Sequence, residues 1–89
     1  MIKGRTTSGF EFEVDENAVN NMELVDALAE ASSDDDLIAV SRVCKLLLDK
    51  KTKKALYDHV RTEDGRVPVD QVSKEVMEIF ASFGNAGKN

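Results

Sequence analysis

Clustered carboxylates are the first residues in this chain whose type and spacing suggest chemistry, because such clusters bind metal ions. Residues 34–36 are three aspartates. Consecutive residues on a helical turn point in different directions, so capping of a helix start explains them better than a shared ion. Residues 63–65 (EDG) resemble part of a calcium loop, but the alignment puts Val60 and Gln71 at its first and twelfth ligand positions, where neither fits. We therefore predict no metal site and no cofactor.

Single copies of histidine and cysteine limit the catalytic chemistry. His59 has no cysteine, serine or second histidine at a spacing that indicates a triad or a zinc site, and a position near a helix end is electrostatically favourable for it. Cys44 cannot form an internal disulfide, and it lies in an apolar stretch, so we expect it to be buried. No nucleophile, base and oxyanion donor can be assembled, and we predict that the protein is not an enzyme.

Charge is sorted into blocks along the chain. Residues 11–36 hold ten acids and no base, whereas residues 37–61 hold seven bases and two acids. The net charge of −5 disfavours general nucleic-acid binding, because phosphate contacts need a basic surface. Separated charges of opposite sign instead favour docking onto partner proteins or onto copies of the same chain.

The 89 residues predict one domain, spanning 1–84, with a short disordered tail at 85–89. The apolar share of 42% provides a thin core, so stability should be marginal. No apolar run is long enough for a signal peptide or a membrane span, and we expect a cytosolic protein without a membrane partner.

Residues 2–14 predict a β-hairpin. Phe10, Phe12 and Val14 alternate with acids, as in a half-buried strand. A three-residue loop at 7–9 pairs residue 6 with 10 and residue 2 with 14, which keeps the apolar side chains on one face and sets opposite charges across the strands. Gly9 then takes the left-handed position that this loop type needs.

The rest of the chain predicts about four helices, at 17–31, 34–49, 52–62 and 68–83, so the fold class is α+β and mostly α. In the first helix an apolar stripe consists of Ala18, Met22, Val25 and Ala29, beside Leu24 and Leu28. Ser33 and Thr52 are the expected caps of the second and third helices. Pro68 is expected near the start of the fourth helix, and Gly84 at its end.

Three surfaces are candidate protein contacts. The acidic surface is Glu23, Asp26 and Glu30; the lysine cluster is Lys50, Lys51, Lys53 and Lys54; the apolar stripe of the terminal helix is Val72, Val76, Phe80 and Phe83. The stripe is expected to be mostly core, with an exposed remainder as the contact. The lysine cluster has three interpretations: a phosphate contact, a solvated helix start, or a patch that meets the acidic surface of another subunit. Four lysines at a helix N-terminus oppose the helix dipole, which favours a function there.

Two stretches together resemble a known family. They are residues 1–16 (MIKGRTTSGFEFEVDE) and residues 46–80 (LLLDKKTKKALYDHVRTEDGRVPVDQVSKEVMEIF). The order of hairpin, acidic helix, leucine-rich helix and terminal amphipathic helix resembles the small tail assembly chaperones of long-tailed (siphovirus-like) bacteriophages and prophages. The similarity covers most of the chain, and residues 17–45 match by helical character more than by identity.

The resemblance implies a function in virion assembly in the host bacterial cytoplasm. It implies a chaperone that coats the tape-measure protein, recruits major tail protein subunits, self-associates and is absent from the mature virion. A helical partner of this kind requires apolar grooves between helices, and head-to-tail contacts between copies build rings or open helices. We therefore expect a salt-sensitive homo-oligomer.

The alternative is a small helix-turn-helix DNA-binding regulator, formed by the third and fourth predicted helices around residues 63–67. That connection is long for the motif, and Lys74 is the only base in the interior of the last helix. Saturable binding to duplex DNA at physiological salt would favour this alternative.

Overall fold

The computed structural model describes residues 1–33 and 36–86. It contains a two-stranded antiparallel sheet, β1 (Ile2–Arg5) and β2 (Glu11–Val14), followed by five helices. The helices are α1 (Glu16–Val19), α2 (Met22–Ser33), α3 (Leu37–Leu47), α4 (Lys50–Val60) and α5 (Val69–Ala86). The class is α+β and mostly α, as the sequence predicts.

The hairpin has the predicted register. Ile2 pairs with Val14, and Gly4 pairs with Phe12. The loop closes through a hydrogen bond from the Gly9 N–H to the Thr6 carbonyl at 3.0 Å, and Gly9 has a φ of 92°. Gly4 is also required, because a Cβ there would lie 2.5 Å from the Phe12 ring. The aromatic ring thus covers the backbone of the opposite strand.

The helix predicted at 17–31 is two helices, separated at Asn20 and Asn21. Asp15 caps α1, and the Asn21 side chain accepts a hydrogen bond from the Glu23 N–H at 3.0 Å. Two asparagines favour this break, because their side chains compete for backbone hydrogen bonds.

The predicted inward stripe of α2 is also wrong. Met22 is 67% exposed and Val25 is 39% exposed, whereas Leu24, Ala27, Leu28 and Ala31 are buried. The small alanines allow α2 to pack closely along α3.

Helix α3 begins later than predicted. Asp36 is its cap and accepts from the N–H groups of Ile38 and Ala39, so the predicted start at residue 34 and the Ser33 cap are wrong. Ser33 instead belongs to α2, and residues 34 and 35 lie outside the described residues. Cys44 is buried on α3, as expected.

The cap of α4 is Asp49 rather than Thr52. The Asp49 side chain accepts from the Thr52 N–H at 2.7 Å, so the helix starts at Lys50, two residues earlier than predicted. The connection to α5 turns at residues 62–65, where the Gly65 N–H donates to the Thr62 carbonyl at 3.0 Å.

Helix α5 begins directly after Pro68, whose carbonyl accepts from the Val72 N–H at 3.1 Å. Gly84 does not end it, since the helix continues to Ala86. Residues 85 and 86 are therefore helical rather than part of a tail, and 87–89 lie outside the described residues.

A single core joins all these elements. The hairpin contributes Phe10, Phe12 and Val14, and the helices contribute residues that include Leu24, Val43, Leu56 and Ile79. Helix α3 is central, because it packs against α2, α4 and α5. The mostly apolar circumference of this helix explains its central position.

Candidate interaction surfaces

The lysine cluster lies on the first two turns of α4. Lys50, Lys51 and Lys54 are exposed, and Lys53 is partly buried with its Nζ 6.0 Å from the centre of the Tyr57 ring. Lys54 forms an ion pair with Asp58 at 3.0 Å. Within residues 1–33 and 36–83, no ion pair engages the other three lysines, so the cluster keeps most of its charge for an external partner.

Asp49 compensates for the lysines at the start of α4. The hydrogen bond from the Thr52 backbone N–H holds the pKa of the Asp49 carboxyl below its usual value, and the Lys51 charge adds a smaller effect. A negative cap stabilises the positive end of the helix dipole. Asp49 therefore offsets part of the unfavourable interaction between the four lysines and the positive end of the helix dipole.

The acidic surface lies on α2. Glu23 and Asp26 are exposed, and Glu30 forms an ion pair with Arg42 of α3 at 3.0 Å. The pair reduces the charge that Glu30 offers to a partner, so the free negative charge is concentrated toward the start of α2.

The two charged surfaces lie on different helices, α2 and α4. Helix α2 packs along α3, and α4 and α5 also pack against α3. The opposite signs of the two surfaces suit a head-to-tail arrangement of copies.

The apolar stripe of the terminal helix is largely internal. Val72, Val76 and Phe83 belong to the core, with exposures of 5%, 1% and 8%, and Phe80 is partly buried. These three residues are therefore core, as the periodicity of the stripe predicts, and naming them as contact residues is wrong. Helix α5 packs against α3, α4 and β1, which accounts for the burial.

Exposed apolar side chains lie elsewhere. Ile38 is 78% exposed and Leu37 is 64% exposed at the start of α3, and Val69 is 42% exposed at the start of α5. Leu37 and Val69 border a shallow cleft of about 160 Å³ that Cys44 and Tyr57 also line. The sequence signal was the pair of consecutive apolar residues directly after Asp36, because neighbouring residues on a helix point in different directions and do not share one buried face.

Cys44 and Tyr57 form a side-chain pair at this cleft. Burial raises the pKa of the Cys44 thiol, and the hydrogen bond with Tyr57 and the charge of Lys53 oppose this rise. Burial likewise raises the pKa of the Tyr57 hydroxyl, with Cys44 adding to the effect. The thiol is therefore kept in its neutral and less nucleophilic form.

A polar cluster with two buried members, Thr6 and Glu75, joins the hairpin loop to α4 and α5. Glu75 is 3% exposed and accepts from the Thr6 hydroxyl at 2.7 Å and from the Ser8 hydroxyl at 2.9 Å. Ser8 Oγ also lies 3.0 Å from His59 Nε2, and the His59 ring lies 5.4 Å from the ring of Phe10. Next to this cluster, Glu78 accepts from the Thr7 N–H at 2.5 Å.

The arrangement of Ser8, His59 and Glu75 differs from a catalytic triad. In a triad the acid orients the histidine, whereas here the acid accepts a hydrogen bond from the serine. The Ser8 hydroxyl has one proton, so donation to Glu75 leaves Ser8 to accept a bond from His59. The cluster therefore fixes the loop in place rather than activating a nucleophile.

Sequence reasoning missed this cluster because its members lie far apart along the chain. The available signal was Glu75 itself, which falls within the apolar periodicity of α5 next to Val76 and three residues after Val72. A charged residue at such a position needs a buried polar partner.

The described residues contain no group of three or more potential metal-binding side chains. Within the same residues, no helix has the length and apolar character that crossing a membrane requires.

Comparison with known proteins gives no relative, since no family model, curated protein or solved structure matches the chain. The function must therefore be argued from the residues and their geometry.

Proposed function

We propose that the chain is a non-enzymatic tail assembly chaperone of a long-tailed bacteriophage or prophage. In this proposal it self-associates and binds the tape-measure protein and tail subunits in the host bacterial cytoplasm, and it is absent from the mature virion. The sequence resemblance supplies the biological setting.

The observation that carries the proposal is the location of exposed charges of opposite sign on two helices, α2 and α4, that both pack against α3. Lys50 and Lys51 project from the start of α4, and Glu23 and Asp26 project from α2. Because the two signs lie on different helices, copies can associate head to tail, with the lysine cluster of one molecule against the acidic surface of the next. Such a row of copies suits a partner that is long and repetitive.

The exposed apolar residues at the start of α3 support binding of a helical partner. Leu37, Ile38 and Val69 are large side chains in contact with solvent, and two of them border a cleft. An amphipathic helix binds such a surface through apolar residues spaced three and four apart. We propose that this region, rather than Val72, Val76 and Phe83, supplies the apolar contact.

The helix-turn-helix alternative has less support from the geometry. Helices α4 and α5 are separated by residues 61–68, whereas that motif uses a turn of about three or four residues. Lys74 is exposed on α5 but acidic residues surround it in the sequence, which disfavours a phosphate contact.

Co-expression tests the proposal. The chain is produced together with the tape-measure protein encoded in the same genome, and soluble tape-measure protein is measured with and without it. We expect a soluble complex that contains several copies of the chain on one partner. If the tape-measure protein remains insoluble and no complex elutes, the proposed function is wrong.

A variant of the exposed apolar residues at the start of α3 tests whether they form the contact. Leu37→Asp and Ile38→Asp together should abolish the complex, because they place charge in the proposed contact without removing a core side chain. The matched variant Met22→Asp, at another exposed apolar position, should leave the complex intact.

A further inference from the structure

The outer edge of β2 has unpaired backbone groups. The Thr6 N–H donates to the Phe10 carbonyl at 2.9 Å, which makes these two residues a hydrogen-bonded pair. In an antiparallel ladder such pairs alternate with pairs that exchange no hydrogen bonds. Given the observed register, the N–H and C=O groups of Glu11 and Glu13 therefore point away from β1.

A cleft of about 450 Å³ lies between the hairpin and the start of α4. It is lined by residues of both strands, which include Lys3, Glu11 and Glu13, and on the other side by Asp49, Lys51, Thr52 and Ala55. Within residues 1–33 and 36–83, no side chain donates to or accepts from the backbone of Glu11 or Glu13. The same residues form no other backbone hydrogen bond with Glu11 or Glu13, so these outward groups are available to a strand at the usual spacing of about 4.8 Å.

The pairing of β1 with β2 shows which types of residue lie opposite the acidic residues of β2. Lys3 lies opposite Glu13, and Arg5 lies opposite Glu11. Residues directly opposite in a sheet share a face, so a strand added on the other edge would place its basic residues beside the same two carboxylates. Its alternate residues would lie on the face of Phe12, where apolar side chains fit.

We propose that the outer edge of β2 binds an extended segment of a partner protein, in which basic residues alternate with apolar ones, as an added strand. Backbone hydrogen bonds supply affinity in this binding mode, and the alternating side chains supply specificity. The site is independent of the tail assembly role, because it is argued from the hairpin alone.

A second copy of the chain is a poorer occupant. Pairing β2 with β2 of another copy would bring like charges together. Pairing β2 with β1 of another copy would place both helical layers on one side of a shared sheet, about 10 Å apart at two strand spacings. The molecule is 21 Å across in its narrowest dimension, so the two bodies would overlap.

Fluorescence anisotropy with a labelled peptide of alternating valine and lysine tests the proposal on the full chain. We expect saturable binding that weakens as salt increases, and at least tenfold weaker binding of a peptide of alternating valine and glutamate. Equal binding of both peptides, or of neither, would overturn the proposal.

Two variants of Glu13 distinguish the contribution of its backbone hydrogen bond from that of its side-chain charge. Glu13→Pro removes an outward N–H while the hydrogen bonds to β1 remain, since proline is tolerated on edge strands with that geometry. Glu13→Gln removes only the charge. We expect Glu13→Pro to weaken binding about tenfold relative to Glu13→Gln, as loss of a backbone hydrogen bond implies. Equal affinities of the two variants would contradict strand addition.

A modified peptide keeps the test decisive even if Glu13→Pro fails to fold. Methylation of the peptide nitrogens that face β2 removes their hydrogen bonds, and we expect it to abolish binding to the unaltered protein. Unchanged binding of the methylated peptide would overturn the proposal, as would self-association that the peptide competes away, because a second copy would then occupy the edge.

Discussion

The hydroxyl of Thr6 donates a hydrogen bond to the buried carboxylate of Glu75 at 2.7 Å, across 69 positions of sequence. This contact joins the hairpin to the terminal helix. The Thr6 Oγ1 also accepts from the Phe10 N–H at 3.2 Å, so one hydroxyl forms hydrogen bonds both within the hairpin and to Glu75. Together with the bonds of Ser8 and Thr7, it holds the hairpin against α5.

Thr6→Val should lower the free energy of unfolding by about 1–3 kcal/mol, because it keeps the shape of the side chain but leaves a buried acceptor without one of its donors. Urea unfolding measures the change. Thr7→Val is the matched control: it removes only the exposed side-chain bond to Glu78, so its effect should be smaller. Equal effects of the two variants would show that the buried contact contributes no more than the exposed one.

Gly4→Ala should destabilise the hairpin by about 1–3 kcal/mol, since the new Cβ would collide with the Phe12 ring. The double variant Gly4→Ala with Phe12→Leu should recover part of the lost stability, because the leucine side chain is shorter than the phenylalanine ring. Thermal unfolding followed by circular dichroism compares the single and double variants. Additive losses would mean that the two residues do not interact as described.

Gly9→Val should destabilise the hairpin because a β-branched residue is strained at a φ of 92°. We expect a loss of about 1–2 kcal/mol. Gly9→Asn should cost less, since asparagine tolerates the left-handed region. If melting of the valine variant matched that of the unaltered protein, the loop conformation would be wrong.

Asp49→Asn should make the stability of the protein less dependent on pH under acidic conditions. The folded pKa of Asp49 is lowered, so its stabilising effect is present above the unfolded pKa and is lost as pH falls through the folded value. The relevant window therefore lies below about pH 4. Melting temperatures across that range should converge for the two proteins, whereas a constant difference would exclude this titration.

The parts of the fold that local patterns determine were predictable. Alternation from Phe10 to Val14 and the charge pairing across the strands fixed the hairpin register, and the glycine at position 9 fixed its loop. The apolar circumference of α3 identified the central helix. These signals act over a few residues, so tertiary contacts were not needed to interpret them.

Other features depend on packing that sequence periodicity cannot resolve. Two apolar stripes overlap on α2, and contact with α3 selects the one containing Leu24 and Leu28 over the one containing Met22 and Val25. The cluster around Glu75 needs the hairpin loop to reach α5 before its members meet. Val72 and Val76 are buried where α5 packs against α3, α4 and β1, so they are unavailable as a contact surface.

Sedimentation velocity with charge-reversed variants tests most directly whether opposed charged surfaces drive association. One variant carries Lys50→Glu and Lys51→Glu, and the other carries Glu23→Lys and Asp26→Lys. Arg66→Glu with Lys74→Glu controls for total charge outside the lysine cluster. All are measured at low salt, about 10 mM, and at about 0.5 M, where charges are screened within a few ångströms.

We predict that the unaltered protein and the control variant associate at low salt and dissociate at high salt. Each reversed variant alone should be monomeric, and an equimolar mixture of the two should associate again, because one then offers two acidic surfaces and the other two basic ones. A monomeric unaltered protein at low salt, or reversed variants that associate as it does, would contradict the account.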